Sequence, residues 1–357
     1  MSGRRRLTRV LAVLIGAFAV WLSAAGTADA APESTTWAKA ATAKATSAEA
    51  APTCRVGAYL SDLYDLDPSK NAFSARLTVW SVCPKRELDP LPDVAFTNST
   101  NAEKSDPAVT EEGGMFRDLV RIQGVFRQDW DLRAFPFDRH RITINITSRK
   151  TIDKFRFTPD NADSGANEGI APDGWKLTGL HLTSVEQHFP TNFGDATLPR
   201  GQGSTRSRLV VEMDLLRDDP TAFWRLTGPL YLMVLLATAA FLLPTHGKEL
   251  GMAERLDSMQ SRLALLGGGL FVVMLNLQQV SQVVTSTVGL TLIDALHLLT
   301  LVYVLLAVVA TVLSWRWTVR GGDPVRAERI HHRGAWIGLA GYALIAAALV
   351  LYAAHVG

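Results

Sequence analysis

Four stretches of this chain carry no Asp, Glu, Lys or Arg: Leu226–Leu243, Leu263–Ile293, Ala295–Ser314 and Gly334–Ala354. The only imidazole in them is His297, in the third stretch. A helix needs about 20 apolar residues to cross the hydrocarbon core of a bilayer. The pattern therefore predicts four membrane spans, at about 221–244, 262–282, 291–314 and 334–355. The second stretch is too long for one crossing, so it holds a span and its exit loop. Four such runs within the last third of a chain do not fit core helices of a water-soluble protein.

The overall hydrophobic content of 48% and net charge of +2 average a polar half and an apolar half. Arginines are spread along the chain and often sit beside acids, which is not the basic surface that nucleic acid requires. No nucleophile–base pair, metal-ligand spacing or phosphate loop is present. No catalytic residue, metal or cofactor is expected, and the chain does not read as an enzyme.

Arg4-Arg5-Arg6, the apolar run Val10–Trp21 and the small-residue site Ala28-Asp29-Ala30 form a secretory signal, predicting a signal peptide over 1–30. Residues 31–53 are Ala/Thr/Ser-rich without periodicity and read as a disordered linker. Export places the polar domain outside a plasma (inner) membrane, and four crossings return the C-terminus to the same side. The Thr245–Ser261 loop is then internal. So is the loop after span three, with Arg316, Arg320, Arg326, Arg329, Arg333, His331 and His332. The external loop Gln282–Thr291 has no Lys or Arg, the asymmetry of the positive-inside rule. Trp315, Trp317 and Trp336 stand at span ends as interfacial anchors.

Residues 54–219 read as β-structure. Strands are predicted at Ala58–Leu66, Ser74–Val82, Met115–Phe126, His140–Ser148, Thr151–Phe157, Trp175–Glu186 and Arg206–Leu216. Short strands, polar breaks and no long helix indicate an extracellular antiparallel β-sandwich, with residues 220–357 an all-α four-helix transmembrane bundle. Cys54 and Cys83 flank the first hairpin, whose ends meet in an antiparallel pair. Outside the cell a disulfide is the expected state, two free thiols being the alternative.

Phe135-Pro136-Phe137-Asp138, followed by four spans, resembles the pentameric ligand-gated ion channels, the Cys-loop receptors and their prokaryotic relatives. Further segments are similar in the same order: Gly57-Ala58-Tyr59-Leu60 with Leu66 and Trp80; Leu91-Pro92-Asp93 through Asn98, where Leu91 replaces the family's Trp; Gly174-Trp175; Leu216-Arg217 with Pro220; Pro229; and Arg262 at the start of the second span. The family's signature cysteines fall at Gln128 and Ile142, so the loop lacks its disulfide. That departure and the short loop between spans three and four are similar to prokaryotic members.

The resemblance implies a homopentamer in membrane lipid. A small ligand or a proton acts on the external domain, and a permeant ion crosses a pore lined by the second span. The implied coupling element is Phe135, Pro136, Phe137 and Asp138, with Asp138 paired to Arg217. The implied pore stripe is Ala264, Gly268, Phe271, Leu275, Gln278, Gln279 and Gln282, whose spacing keeps it on one helix face. Phe271 and Leu275 suit a gate that closes by dewetting. Gly267-Gly268-Gly269 departs from the family and suits close packing or a bend. Gln260 and Ser261 stand where cation-selective relatives carry Glu, which leaves Asp257 and Glu254 as a substitute acidic ring.

The implied ligand residues are Trp80, Arg127, Arg149, Phe189 and Phe193, with Phe126 and Arg200 near them. An aromatic box in which Arg149 replaces an aromatic suits an anion better than an amine. Proton-gated prokaryotic members make His140, His181 and His188 candidates as surface titrating groups. The same architecture without conduction is the other reading.

Overall fold

The computed structural model describes residues 51–357 except 197, 198, 200, 202, 243–250, 284–289, 322 and 357. The expected signal peptide and the expected linker up to residue 50, with Arg200, lie outside the described residues, as does the side chain of Gln282.

Two sheets face each other. The first has the order β4-β5-β2-β1-β7, with β8 paired to β1; the second has the order β3-β6-β10-β9. The strands are β1 Thr53–Asp67, β2 Ala72–Cys83, β3 Ala95–Phe96, β4 Ser99–Glu112, β5 Met115–Arg127, β6 Arg139–Thr151, β7 Arg156–Pro159, β8 Gly165–Ala166, β9 Trp175–Phe189 and β10 Ser204–Arg217. Strict alternation builds the core. Phe73, Leu77 and Val79 of β2 with Phe116, Ile122 and Phe126 of β5 point inward from one sheet. Ile142, Ile144 and Ile146 of β6 with Leu209, Val211 and Met213 of β10 point inward from the other. A register slip of one residue would turn every one of these side chains to solvent, so the pattern also fixes the pairing.

Three features depart from expectation. Strand β4 is absent from the predicted set because Ser99–Glu112 is polar and almost wholly exposed. It is an edge strand held by its ladder to β5, and Pro107 falls inside a register shift between Ser105 and Ala108. Charges and a bulged proline are what protect an open edge from further pairing. The single strand expected over Thr151–Phe157 is two: β6 ends at Thr151 and β7 begins at Arg156 after a turn. Finally, β7 and β8 run parallel to β1, so the otherwise antiparallel sandwich carries two short parallel pairings.

Cys54 and Cys83 are disulfide-bonded, their Cα atoms 4.6 Å apart across β1 and β2. That is the spacing of residues directly opposite in an antiparallel pair.

Four helices follow: α1 Pro220–Leu242, α2 Met252–Val283, α3 Leu292–Val319 and α4 Pro324–Val356. All four are long and apolar enough to cross a membrane, where helices satisfy their own backbone groups. Asp219 caps α1 through the Thr221 and Ala222 amides. Thr291 and Asp294 close a capping box at the start of α3. Buried polar contacts tie the bundle. Asn276 Nδ2 of α2 donates to the Leu226 carbonyl of α1 at 2.8 Å and lies 2.9 Å from His297 Nε2 of α3. The Thr238 and Tyr303 hydroxyls meet at 2.6 Å, those of Thr300 and Tyr342 at 3.0 Å. Together these residues link all four helices, as side-chain hydrogen bonds do where lipid offers no hydrophobic drive between spans.

Candidate functional site

Residues 128–138 form the connection from β5 to β6 and rest on the helices. Its base is closed without cysteines: the Gln128 side chain donates to the Arg141 carbonyl at 3.2 Å and accepts from the Thr143 amide at 3.3 Å. Those residues flank Ile142 in β6. At its tip, the Phe135–Pro136 bond is cis. The Phe137 ring meets Phe223 of α1 with centroids 5.5 Å apart. The Leu292 amide, at the first residue of α3, donates to the Arg133 carbonyl at 3.0 Å. One loop thus touches the entrances of two helices.

Behind the tip lies an ionic cluster. Asp138 is 1% exposed. Arg217, the last residue of β10, donates Nε to Asp138 Oδ1 at 2.7 Å and Nη2 to Oδ2 at 3.1 Å. The planar guanidinium fork matches both carboxylate oxygens, the strongest geometry for such a pair. It is also sandwiched by aromatic faces, 4.0 Å from the Trp175 centroid and 4.8 Å from that of Phe135. His140 supplies a third member, Nε2 lying 2.6 Å from Asp138 Oδ2, with Trp130 and Trp175 against its ring. Burial pushes the Asp138 carboxyl up, but the hydrogen bonds from His140 and Arg217 and their charge outweigh it and hold the group below the usual carboxylate range.

The predicted Asp138–Arg217 contact is present. His140 corrects the sequence reading: it does not lie on the surface but is a buried member of this cluster. Its signal was legible, since His140 continues the inward series Ile142, Ile144, Ile146 at two-residue spacing. His181 and His188, in contrast, are not buried.

Helix α2 has two faces. Arg262, Leu266, Gly269, Val273, Asn276 and Val280, at spacings of four and three, are buried against the bundle. Ala264, Gly268, Phe271, Leu275, Gln278 and Gln279 are all exposed, with Phe271 63% exposed. Gly269 of the glycine triplet sits where a Cβ would overlap the Met233 side chain of α1, whereas Gly267 and Gly268 face open space. Close packing of α1 and α2 thus rests on Gly269. Helix α2 begins at Met252, so Glu254 and Asp257 lie on its first turns. Glu254 Oε2 accepts from the Gly251 amide at 3.0 Å, and both acids are exposed.

The expected ligand residues are not gathered in one place. Phe189 and Phe193, on the β9–β10 hairpin, pack at 5.1 Å. Arg206, missed in the sequence, lies over Phe193 at 4.2 Å and over Phe189 at 5.9 Å. Burial and the Arg149 charge both push the Arg206 guanidinium down from its ordinary value. Arg149 thus belongs to this cationic wall. Trp80 is in the other sheet, stacked over Gly57 and donating to Asp160 at 3.3 Å. Arg127 is exposed at the end of β5.

No protein-family model and no curated protein sequence matches the chain. The architecture is that of a multi-pass membrane protein with a β-sandwich domain joined to a four-helix bundle.

Proposed function

We propose that this chain is a subunit of a homopentameric ligand-gated ion channel, similar to prokaryotic pentameric ligand-gated channels. The observation that carries this reading is the two-faced α2. Its buried stripe uses up the contacts within the protomer, and the opposite face, with Phe271 and Leu275, is left for other copies. In a ring of five, that face encloses a pathway that is small at Ala264 and Gly268, apolar at Phe271 and Leu275, and amide-lined at Gln278 and Gln279. Asp257 and Glu254 stand at its inner mouth and favour cations.

Gating is a bias between two arrangements. A ligand held between subunits has Phe189, Phe193, Arg149 and Arg206 on one side and the Trp80 sheet of the neighbour on the other. The wall of two guanidiniums selects an anion. Shifts of β10 pass through Arg217 to α1, three residues on, and through Asp138 and the Arg133–Leu292 contact to α3. The test is reconstitution of the purified chain in planar bilayers, alongside its assembly mass. A pentamer with discrete currents supports the reading; a pentamer silent to anionic ligands and at every pH points to a receptor that does not conduct.

A further inference from the structure

Near the disulfide end of the first sheet, an inward position of β5 is filled by an acid. Asp118 lies between Phe116 and Val120 in the alternating pattern and is 5% exposed. It pairs across the ladder with Ser81 of β2. The Ser81 hydroxyl donates to Asp89 Oδ1 at 2.6 Å, and Asp89, in the turn after β2, is 8% exposed. The two carboxyls are within hydrogen-bonding reach of each other. Asp89 Oδ1 also accepts from the Leu91 amide at 3.3 Å. Asp118 Oδ1 is buried and meets no donor among the described residues.

The nearest base does not neutralise the pair by contact. Lys104 of β4 directs its ammonium to the carbonyls of Leu91, Pro92 and Val94 at 2.7, 3.2 and 3.3 Å. Three donors are all an ammonium has. The other charged groups on this side are Asp93, in the turn held by Lys104, and Arg149 of β6, which both act on Lys104. Arg86 packs over Phe116. Two buried carboxylates side by side repel when both are ionised, which favours a proton on one of them.

We infer that Asp89 and Asp118 form a proton-binding site in which Asp118 carries one shared proton and donates it to Asp89, and that this proton regulates how the Leu91–Val94 turn packs on β5. Asp89 Oδ1 already accepts from Ser81 and from the Leu91 amide, while Asp118 has an orphan oxygen, which places the proton on Asp118. Loss of the proton puts two negative charges under the Lys104 clamp. Burial, together with the hydrogen bond and charge of Asp89, pushes the Asp118 carboxyl up from 3.8 to about 6. Because the folded value lies above the unfolded one, the site's contribution to stability is full below 3.8 and falls away as pH rises to about 6. It does not change further at higher pH.

Infrared difference spectroscopy of the full chain in lipid, recorded across pH, tests this without requiring conductance, so its outcome is separate from that of the channel reading. A protonated-carboxyl band that disappears with a midpoint near 6 is expected in the wild type. Asp118→Asn, which mimics the protonated form, and Asp89→Asn each remove or shift that band. Asp118→Asn also abolishes the fall in thermal stability between 3.8 and about 6. The wild-type spectrum needs no variant and stands even where a variant fails to fold. Absence of the band, a midpoint in the ordinary carboxylate range, or a band unchanged in either variant overturns the proposal.

Discussion

Replacing Asp138 by Ala removes one carboxylate that serves three partners. Its loss strands the Arg217 guanidinium, 14% exposed and enclosed by Trp175 and Phe135, and leaves His140 without its acceptor. Two unit charges about 4 Å apart attract by about 4 kcal/mol at an effective dielectric of about 20. Breaking a buried pair by deleting one side costs about 3–5 kcal/mol, because the remaining charge stays desolvated. Asp138→Ala and Arg217→Ala are each expected to destabilise by that amount. The double variant is expected to lose about as much as either single one, since the second deletion removes the stranded charge. Asp138→Asn keeps acceptor geometry without charge and should fall between. Trp130 and Trp175 line the cluster and are two of the nine tryptophans of the chain, so denaturant unfolding in detergent, followed by tryptophan fluorescence, measures the loss of stability. Fully additive losses in the double variant would refute the coupling of these two residues.

Three further outcomes are expected. The Asp138 carboxyl is held below 3.8, so its contribution is present above that value and is lost only as pH falls through its lower folded value; in the Asp118→Asn background the tryptophan signal should therefore hold down to 3.8, and a loss at milder acidity would contradict this. Asn276→Leu strands His297 Nε2 and the Leu226 carbonyl and should destabilise by about 1–2 kcal/mol, with Asn276→Leu/His297→Leu recovering part of it; an inert single variant would remove this contact from the bundle's stability. Gly269→Ala should destabilise by about 1–3 kcal/mol by overpacking against Met233, with Gly268→Ala close to neutral, and Met233→Ala should relieve the first; equal effects at both glycines would contradict the packing.

The sequence carried the architecture because each layer has its own period. Inward apolar side chains at two-residue spacing mark β5, β6 and β10, and uncharged runs mark the helices. Strand β4 was invisible for the converse reason: Ser99–Glu112 buries almost nothing, so no hydrophobic period records it, and backbone pairing alone makes it a strand. The same holds for β8, two residues long. At the candidate site, Asp138 and Arg217 were legible only by likeness to a family, since they lie 79 residues apart. His140 was legible by pattern, but its polar type argued for the surface. Arg206 was hidden because a guanidinium stacked on Phe193 looks, in sequence, like any arginine in a strand.

On the channel reading, the exposed face of α2 encloses an ion pathway. The two native cysteines are bonded to each other, so Leu275→Cys introduces the one free thiol of the chain. In planar bilayers this variant is expected to give discrete currents that a charged thiol reagent blocks irreversibly, while Val273→Cys, on the buried stripe, is unaffected. Currents indifferent to modification at Leu275→Cys, or blocked equally at both positions, would contradict it.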